Sequence, residues 1–132
     1  MARFEKIVLI VAAVIFLFVG IQGIIDPQKL LAPLAISLES TDAFNEMRAV
    51  YGGLHLGISG LLFWMAIKNS HMGIIILTVI ITGLCLGRIL SLIVDGRPNT
   101  ALAWRFTYTE GAGALALNII LGHKKIRAFV NR

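Results

Sequence analysis

Long apolar runs separated by short polar breaks dominate the chain. A helix needs roughly 20 apolar residues to cross about 30 Å of hydrocarbon, and four windows meet that length, at about 7–25, 43–67, 72–94 and 100–121. The first, Ile7 to Ile25, carries no charge and only Gln22 as a strongly polar side chain, and it stops at Asp26-Pro27. Its apolar stretch is longer than the core of a signal peptide and no small-x-small cleavage pattern follows, so it is expected to remain as an anchor. The pattern predicts an all-α polytopic membrane protein, a bundle of four transmembrane helices forming one domain over 1–132.

The breaks predict the connections. Between the first two spans lie 17 residues, Asp26 to Asp42, too many for a tight turn and too apolar for a fully solvated loop. Asp26 as N-cap and Pro27 at the first helical position would start a short interfacial helix carrying Leu30, Leu31 and Leu34; an irregular connector fits equally. Asp42 is expected to cap the second span and Asn69 or Ser70 the third. Asp95-Gly96-Arg97-Pro98-Asn99 has turn chemistry.

Charge enters first as topology. The net charge of +5 would suggest nucleic acid only if the cations formed an exposed stripe. With the N terminus inside, Arg3, Lys6, Lys68, Lys124, Lys125, Arg127 and Arg132 instead gather on one side, against Lys29 and Arg97 on the other. By the positive-inside rule both termini are expected in the cytoplasm, and no nucleic acid partner is expected. Composition agrees, since 58% of residues are hydrophobic and only 14% charged, where about 25% charged is usual in a soluble domain.

The remaining charges lie inside the spans. Each costs about 2.5–3.5 kcal/mol near a helix centre on insertion scales, so each needs a partner, water or a function. Glu46, Arg48 and His55 fall in the second span, Arg88 in the third, Arg105 and Glu110 in the fourth. Counting from the outer helix ends puts the three arginines roughly 8–10 Å deep, with His55 and Glu110 nearer the midplane. One polar pocket in the outer half is the simplest arrangement. Helical phase sets Arg48, Tyr51, Gly52, His55 and Ser59 on one stripe of the second span and Glu46, Gly53, Gly57 and Gly60 nearly opposite. It also allows an Arg88–Glu110 ion pair with His55 as a third member, while Arg105 is left to Asp95, Glu46 or a headgroup. Gly53-x-x-x-Gly57, Gly83-x-x-x-Gly87 and Gly111-Ala112-Gly113-Ala114 permit close helix approach, inside the bundle or in a homo-oligomer.

Other chemistry is discounted. His55 falls at mid-membrane, His71 in the inner loop and His123 in the inner tail, so they cannot converge on a metal, and no HExxH, CxxC, Walker or GxGxxG pattern implies a cofactor. The single Cys85 rules out a disulfide framework and has no evident base. Trp64, Trp104, Tyr51 and Tyr108 read as interface or packing residues, with Tyr51 and Tyr108 as further pocket hydroxyls.

Three segments carry a family likeness: Asn45-Glu46-Met47-Arg48-Ala49-Val50-Tyr51-Gly52-Gly53; Gly87-Arg88 followed by Asp95-Gly96-Arg97-Pro98; and Glu110. Together they resemble the domain of unknown function 4345 family of small bacterial membrane proteins, over nearly the whole chain. The resemblance implies a four-helix membrane bundle, broadly similar to DoxX-like proteins, in the bacterial inner membrane. It implies no activity.

Three functions fit this pattern. The first is an accessory or binding protein that takes a lipid-like or small polar ligand, with Arg48, Tyr51, His55, Arg88, Arg105 and Glu110 at the ligand and Glu46, Asp95 and Tyr108 supporting them. The second is a small proton-coupled transporter or channel working as an oligomer. The third is a membrane enzyme using the same Arg/Glu/His cluster. Membrane lipids are the expected surroundings in all three, and the cluster could also be purely structural.

Overall fold

The computed structural model describes the backbone of residues 2–130 and the side chains of residues 3–122. The side chains of His123, Lys124, Lys125, Arg127 and Arg132, which include four of the cations expected on the cytoplasmic side, lie outside the described residues. The order is α1 (Ala2–Ile25), α2 (Pro27–Leu31), a 3-10 turn (Ala32–Leu34), α3 (Thr41–Met47), a π-helical stretch (Arg48–Leu54), α4 (His55–Lys68), α5 (Ser70–Val94) and α6 (Ala101–Val130). No strand occurs among the described residues.

Three helical segments are long and apolar enough to cross a membrane, Arg3–Ile25, Thr41–Lys68 and Ser70–Val94. The sequence pattern predicts four. Helix α6 exists and is the longest helix at 30 residues, but Arg105, Glu110 and Asn118 dilute its apolar character. The large side chains left exposed on the three spans, among them Ile7, Ile15, Phe18, Ile67, Val79 and Ile93, would be an aggregation hazard in water. On a membrane span they face lipid.

Helix starts follow local chemistry. Asp26 caps α2 by accepting from the Lys29 amide, with Pro27 in the first turn, as the sequence suggests. The second span is capped by Ser40, whose hydroxyl accepts from the Ala43 amide at 3.1 Å. Asp42, expected in that role, instead lies in the first turn, where its charge complements the helix dipole. Asn69 accepts from the Met72 amide and opens α5, and Thr100 does the same for Ala103 at the start of α6.

The chain forms two compact units, Met1–Gly73 and Ile74–Arg132. In the first, α1 buries Glu5, Leu9, Ala13, Phe16, Gly20 and Gly23, positions three or four apart and therefore on one face. Against that face lie α4 and the π-helical stretch. Leu62 and Ala66 fill the α4 side, and the Ser59 hydroxyl donates to the Ala13 carbonyl at 2.8 Å. Glycine makes the closest approach possible. A Cβ on Gly23 would stand 2.5 Å from the Tyr51 carbonyl carbon, and one on Gly52 would stand 2.6 Å from the Ile24 side chain.

The π-helical stretch changes the phase argument for the second span. Its wider turns release backbone groups from α-helical pairing, and the sequence Tyr51-Gly52-Gly53 offers weak α-helical preference there. His55 then serves the backbone: its Nδ1 lies 2.8 Å from the Val50 carbonyl five residues back. A carbonyl only accepts, so Nδ1 carries the proton and donates.

In the second unit α5 and α6 run past one another with small residues between them. A Cβ on Gly113 would meet Ile81 at 3.5 Å, and one on Gly111 would reach the Cys85 sulfur at 4.0 Å. Asn118 donates to the Thr82 hydroxyl. The connection turns at Gly96, whose φ of +89° suits glycine, and Trp104 Nε1 holds it by donating to the Pro98 carbonyl at 3.1 Å. By contrast, positions 57, 60, 83 and 87 have open space where a Cβ would stand.

The two classes of glycine make opposite predictions. Gly23→Ala forces backbone against backbone and is expected to destabilise the protein by about 1–3 kcal/mol. Gly83→Ala, in an open helical position, is expected to be neutral or to stabilise by up to about 1 kcal/mol. Thermal unfolding of the detergent-solubilised variants checks both.

Candidate functional site

The residues singled out from sequence divide between the units. Glu46, Arg48, Tyr51 and His55 belong to the first, and Arg88, Asp95, Arg105, Tyr108 and Glu110 to the second.

In the first unit the polar stripe of the second span is engaged with α1 and with itself. Arg48 Nε donates to the Ile24 carbonyl at 3.1 Å, placing a cation on a C-terminal carbonyl of α1, where dipole and unpaired acceptors favour it. Its guanidinium also lies 5.7 Å from the Phe44 ring centre. The His55 ring stacks on Tyr51 and tilts against Phe16, both at 5.5 Å between centroids. Glu46 on the other face is exposed.

A charge missed by the span-by-span reading is buried in this unit. Glu5 is 4% exposed, accepts from the Ser70 hydroxyl at 3.0 Å and lies 3.8 Å from His71 Nδ1. The apolar window starts at Ile7 and excludes it. The signal was present nonetheless, because Glu5 is four, eight and eleven residues before Leu9, Ala13 and Phe16, on the same helical face.

The second unit holds the Arg88–Glu110 pair that helical phase allows. Arg88 Nε donates to one Glu110 oxygen at 2.5 Å and Nη2 donates to the other at 2.9 Å. This is the bidentate fork in which guanidinium and carboxylate match best. Phe106, one turn before Glu110 on α6, lies with its ring centre 5.2 Å from the Arg88 guanidinium carbon. Ring and carboxylate thus grip the cation from neighbouring positions of one helix, the ring adding about 0.5–2 kcal/mol. Both side chains of the pair are mostly covered, at 31% and 16% exposure.

Beside the pair opens a cleft of about 210 Å³, lined by Arg88, Ser91, Leu92, Asp95, Gly96, Arg97, Pro98, Ala103 and Thr107. Ser91 donates to one Asp95 oxygen at 2.9 Å, and Thr107 donates to the Ala103 carbonyl one turn back. Asp95 and Arg97 are exposed. Of the nine residues singled out, Arg88 and Asp95 line this cleft. Glu110 orients Arg88 from behind, Arg105 is exposed, and Tyr108 is exposed and stacked on Trp104. Sequence reasoning put Arg97 on the outer side merely as a loop cation and missed Ser91. Its four-residue spacing from Asp95 at a helix end was the available clue.

A family model described as Domain of unknown function (DUF4345) matches residues 4–121. The chain belongs to this family. The DUF4345 match takes in both the Arg48 and the Arg88–Glu110 arrangements. No curated protein and no solved structure matches the chain.

The pair predicts a characteristic mutational pattern. Exposed ion pairs contribute about 0.2–1 kcal/mol, whereas removing one partner of a buried pair costs about 3–5 kcal/mol. Partial cover places Glu110→Leu or Arg88→Leu between these, near 2 kcal/mol. The double variant is expected to recover most of the loss, because no charge is then left without its counterpart. A double-mutant cycle on unfolding in detergent measures this.

Proposed function

We propose that this DUF4345 protein is a four-span binding protein of the bacterial inner membrane, with both termini in the cytoplasm, which holds the polar part of a lipid-like or small ligand in the cleft beside Arg88 and Glu110. The observation that carries the reading is the cleft itself, an open recess of mixed polar and apolar lining formed where two helices meet a turn. Its walls pair charged groups with an apolar edge from Leu92, Pro98 and Ala103, the mixture expected where a ligand is half polar and half apolar.

Helix α6 supplies the fourth span in this proposal. Its 30 residues extend about 45 Å at 1.5 Å per residue, enough to cross. The bonds from Arg88 to Glu110 and from Asn118 to Thr82 reduce the cost of placing those groups in lipid. Arg105, near the start of α6, can reach the interface by extending its side chain. Arg3, Lys6 and Lys68 on one side support the orientation, which directs the 95–100 turn and its cleft toward the periplasm.

The accompanying roles follow from contacts. Arg48, Tyr51 and His55 shape the second span against α1, while Arg88, Ser91, Asp95, Arg97 and Thr107 meet the ligand. Filling the recess tests the reading. Ala103→Trp is expected to reduce co-purified lipid or small molecule at least severalfold in native mass spectrometry without unfolding the protein. Unchanged retention in a folded Ala103→Trp variant would contradict it.

A further inference from the structure

The charge arrangement of the cleft narrows the ligand. Arg88 is neutralised by Glu110 through two hydrogen bonds, so the charges the cleft presents toward a ligand are those of Asp95 and Arg97. These stand two residues apart on either side of Gly96, and no salt bridge joins them among the described residues. One carboxylate and one guanidinium therefore share an open recess uncancelled by each other.

Asp95 is placed where its charge is otherwise unfavourable. It follows the last residue of α5, Val94, and the negative end of a helix dipole disfavours a carboxylate by about 0.3–1 kcal/mol. Ser91 satisfies one of its oxygens, Oδ2. An ammonium group answers both the carboxylate and the helix end. On the other side of the turn, Arg97 offers a planar donor fork suited to phosphate. Size also discriminates: about 210 Å³ equals roughly seven water volumes at about 30 Å³ each, and lies below the ~300–1,000 Å³ of sites that enclose whole drug-sized ligands. The recess fits a headgroup and leaves acyl chains outside.

We infer that the cleft selects a zwitterionic amine-phosphate group, its ammonium on Asp95 and its phosphate on Arg97, in preference to a purely anionic one. This inference rests on the binding function proposed above. The amine-phosphate chemistry could belong to a phosphoethanolamine lipid or to the free headgroup, and the ligand forms tested separate the two.

The experiment is native mass spectrometry of the intact protein titrated with phosphatidylethanolamine, phosphatidylcholine and phosphatidylglycerol of one chain length, and with free phosphoethanolamine. Phosphatidylethanolamine is expected to bind about tenfold more tightly than phosphatidylglycerol, and also more tightly than phosphatidylcholine, whose quaternary amine lacks N–H donors. Asp95→Asn should abolish the preference over phosphatidylglycerol, and Arg97→Gln should weaken all phospholipids. Free phosphoethanolamine that binds with the same Asp95 dependence while the lipids do not would assign the site to a soluble ligand of this chemistry. Equal binding of phosphatidylglycerol, or a preference that survives Asp95→Asn, would overturn the inference. It would leave the binding function standing if Ala103→Trp still released the lipid. Absence of binding by all four ligands would overturn the inference, whereas the binding function falls only if a folded Ala103→Trp variant retains its co-purified ligand unchanged.

Discussion

Every polar group that enters a chain this apolar needs a partner supplied by the chain, and that constraint organises both units. Arg48 rests on the Ile24 carbonyl, Ser59 on the Ala13 carbonyl, Glu5 on Ser70, Asn118 on Thr82 and Arg88 on Glu110. Among the described residues no buried side-chain nitrogen or oxygen lacks a hydrogen-bond partner. In hydrocarbon each unsatisfied group would cost several kcal/mol, so these bonds decide which helix faces meet. Apolar surface, which covers all sides of the spans, could not decide it alone.

The same constraint distinguishes two kinds of charge. Arg48 is consumed by architecture: it closes the end of α1 while Gly23 and Gly52 let the backbones touch. The Arg88–Glu110 pair also fixes two helices, but it does so at the edge of a recess whose other charged residues remain exposed. Satisfaction of charge and the edge of the recess therefore meet at Arg88 on α5. Arg88 holds the wall, and Asp95 and Arg97, seven and nine residues beyond it at the turn, are exposed.

Much of this was legible in the sequence. The helices follow from apolar length, the α2 start from Asp26-Pro27, and the Arg88–Glu110 pairing from phase on α5 and α6, where regular helix makes 100° per residue a valid ruler. Helical phase does not identify α1 as the partner of Arg48, His55 and Ser59, because an amphipathic stripe states which residues share a face and not what covers it. The π-helical stretch has only the weak helical preference of Tyr51-Gly52-Gly53 as a local signal, because its close contact with α1 at Gly52 comes from residues far away in sequence. Glu5 was readable but excluded by a window drawn on hydropathy. Helix α6 shows the converse: Arg105, Glu110 and Asn118 lower its hydropathy, yet two of the three are satisfied by α5.

The proposed function makes Arg88, fixed by Glu110, one wall of an occupied recess. A structure of the protein extracted with its native lipid measures this directly. The account predicts a bidentate Arg88–Glu110 pair with non-protein density between Asp95 and Arg97, its polar end in the recess. A recess closed by protein side chains, with Asp95 and Arg97 paired to each other and no density beside them, would contradict it.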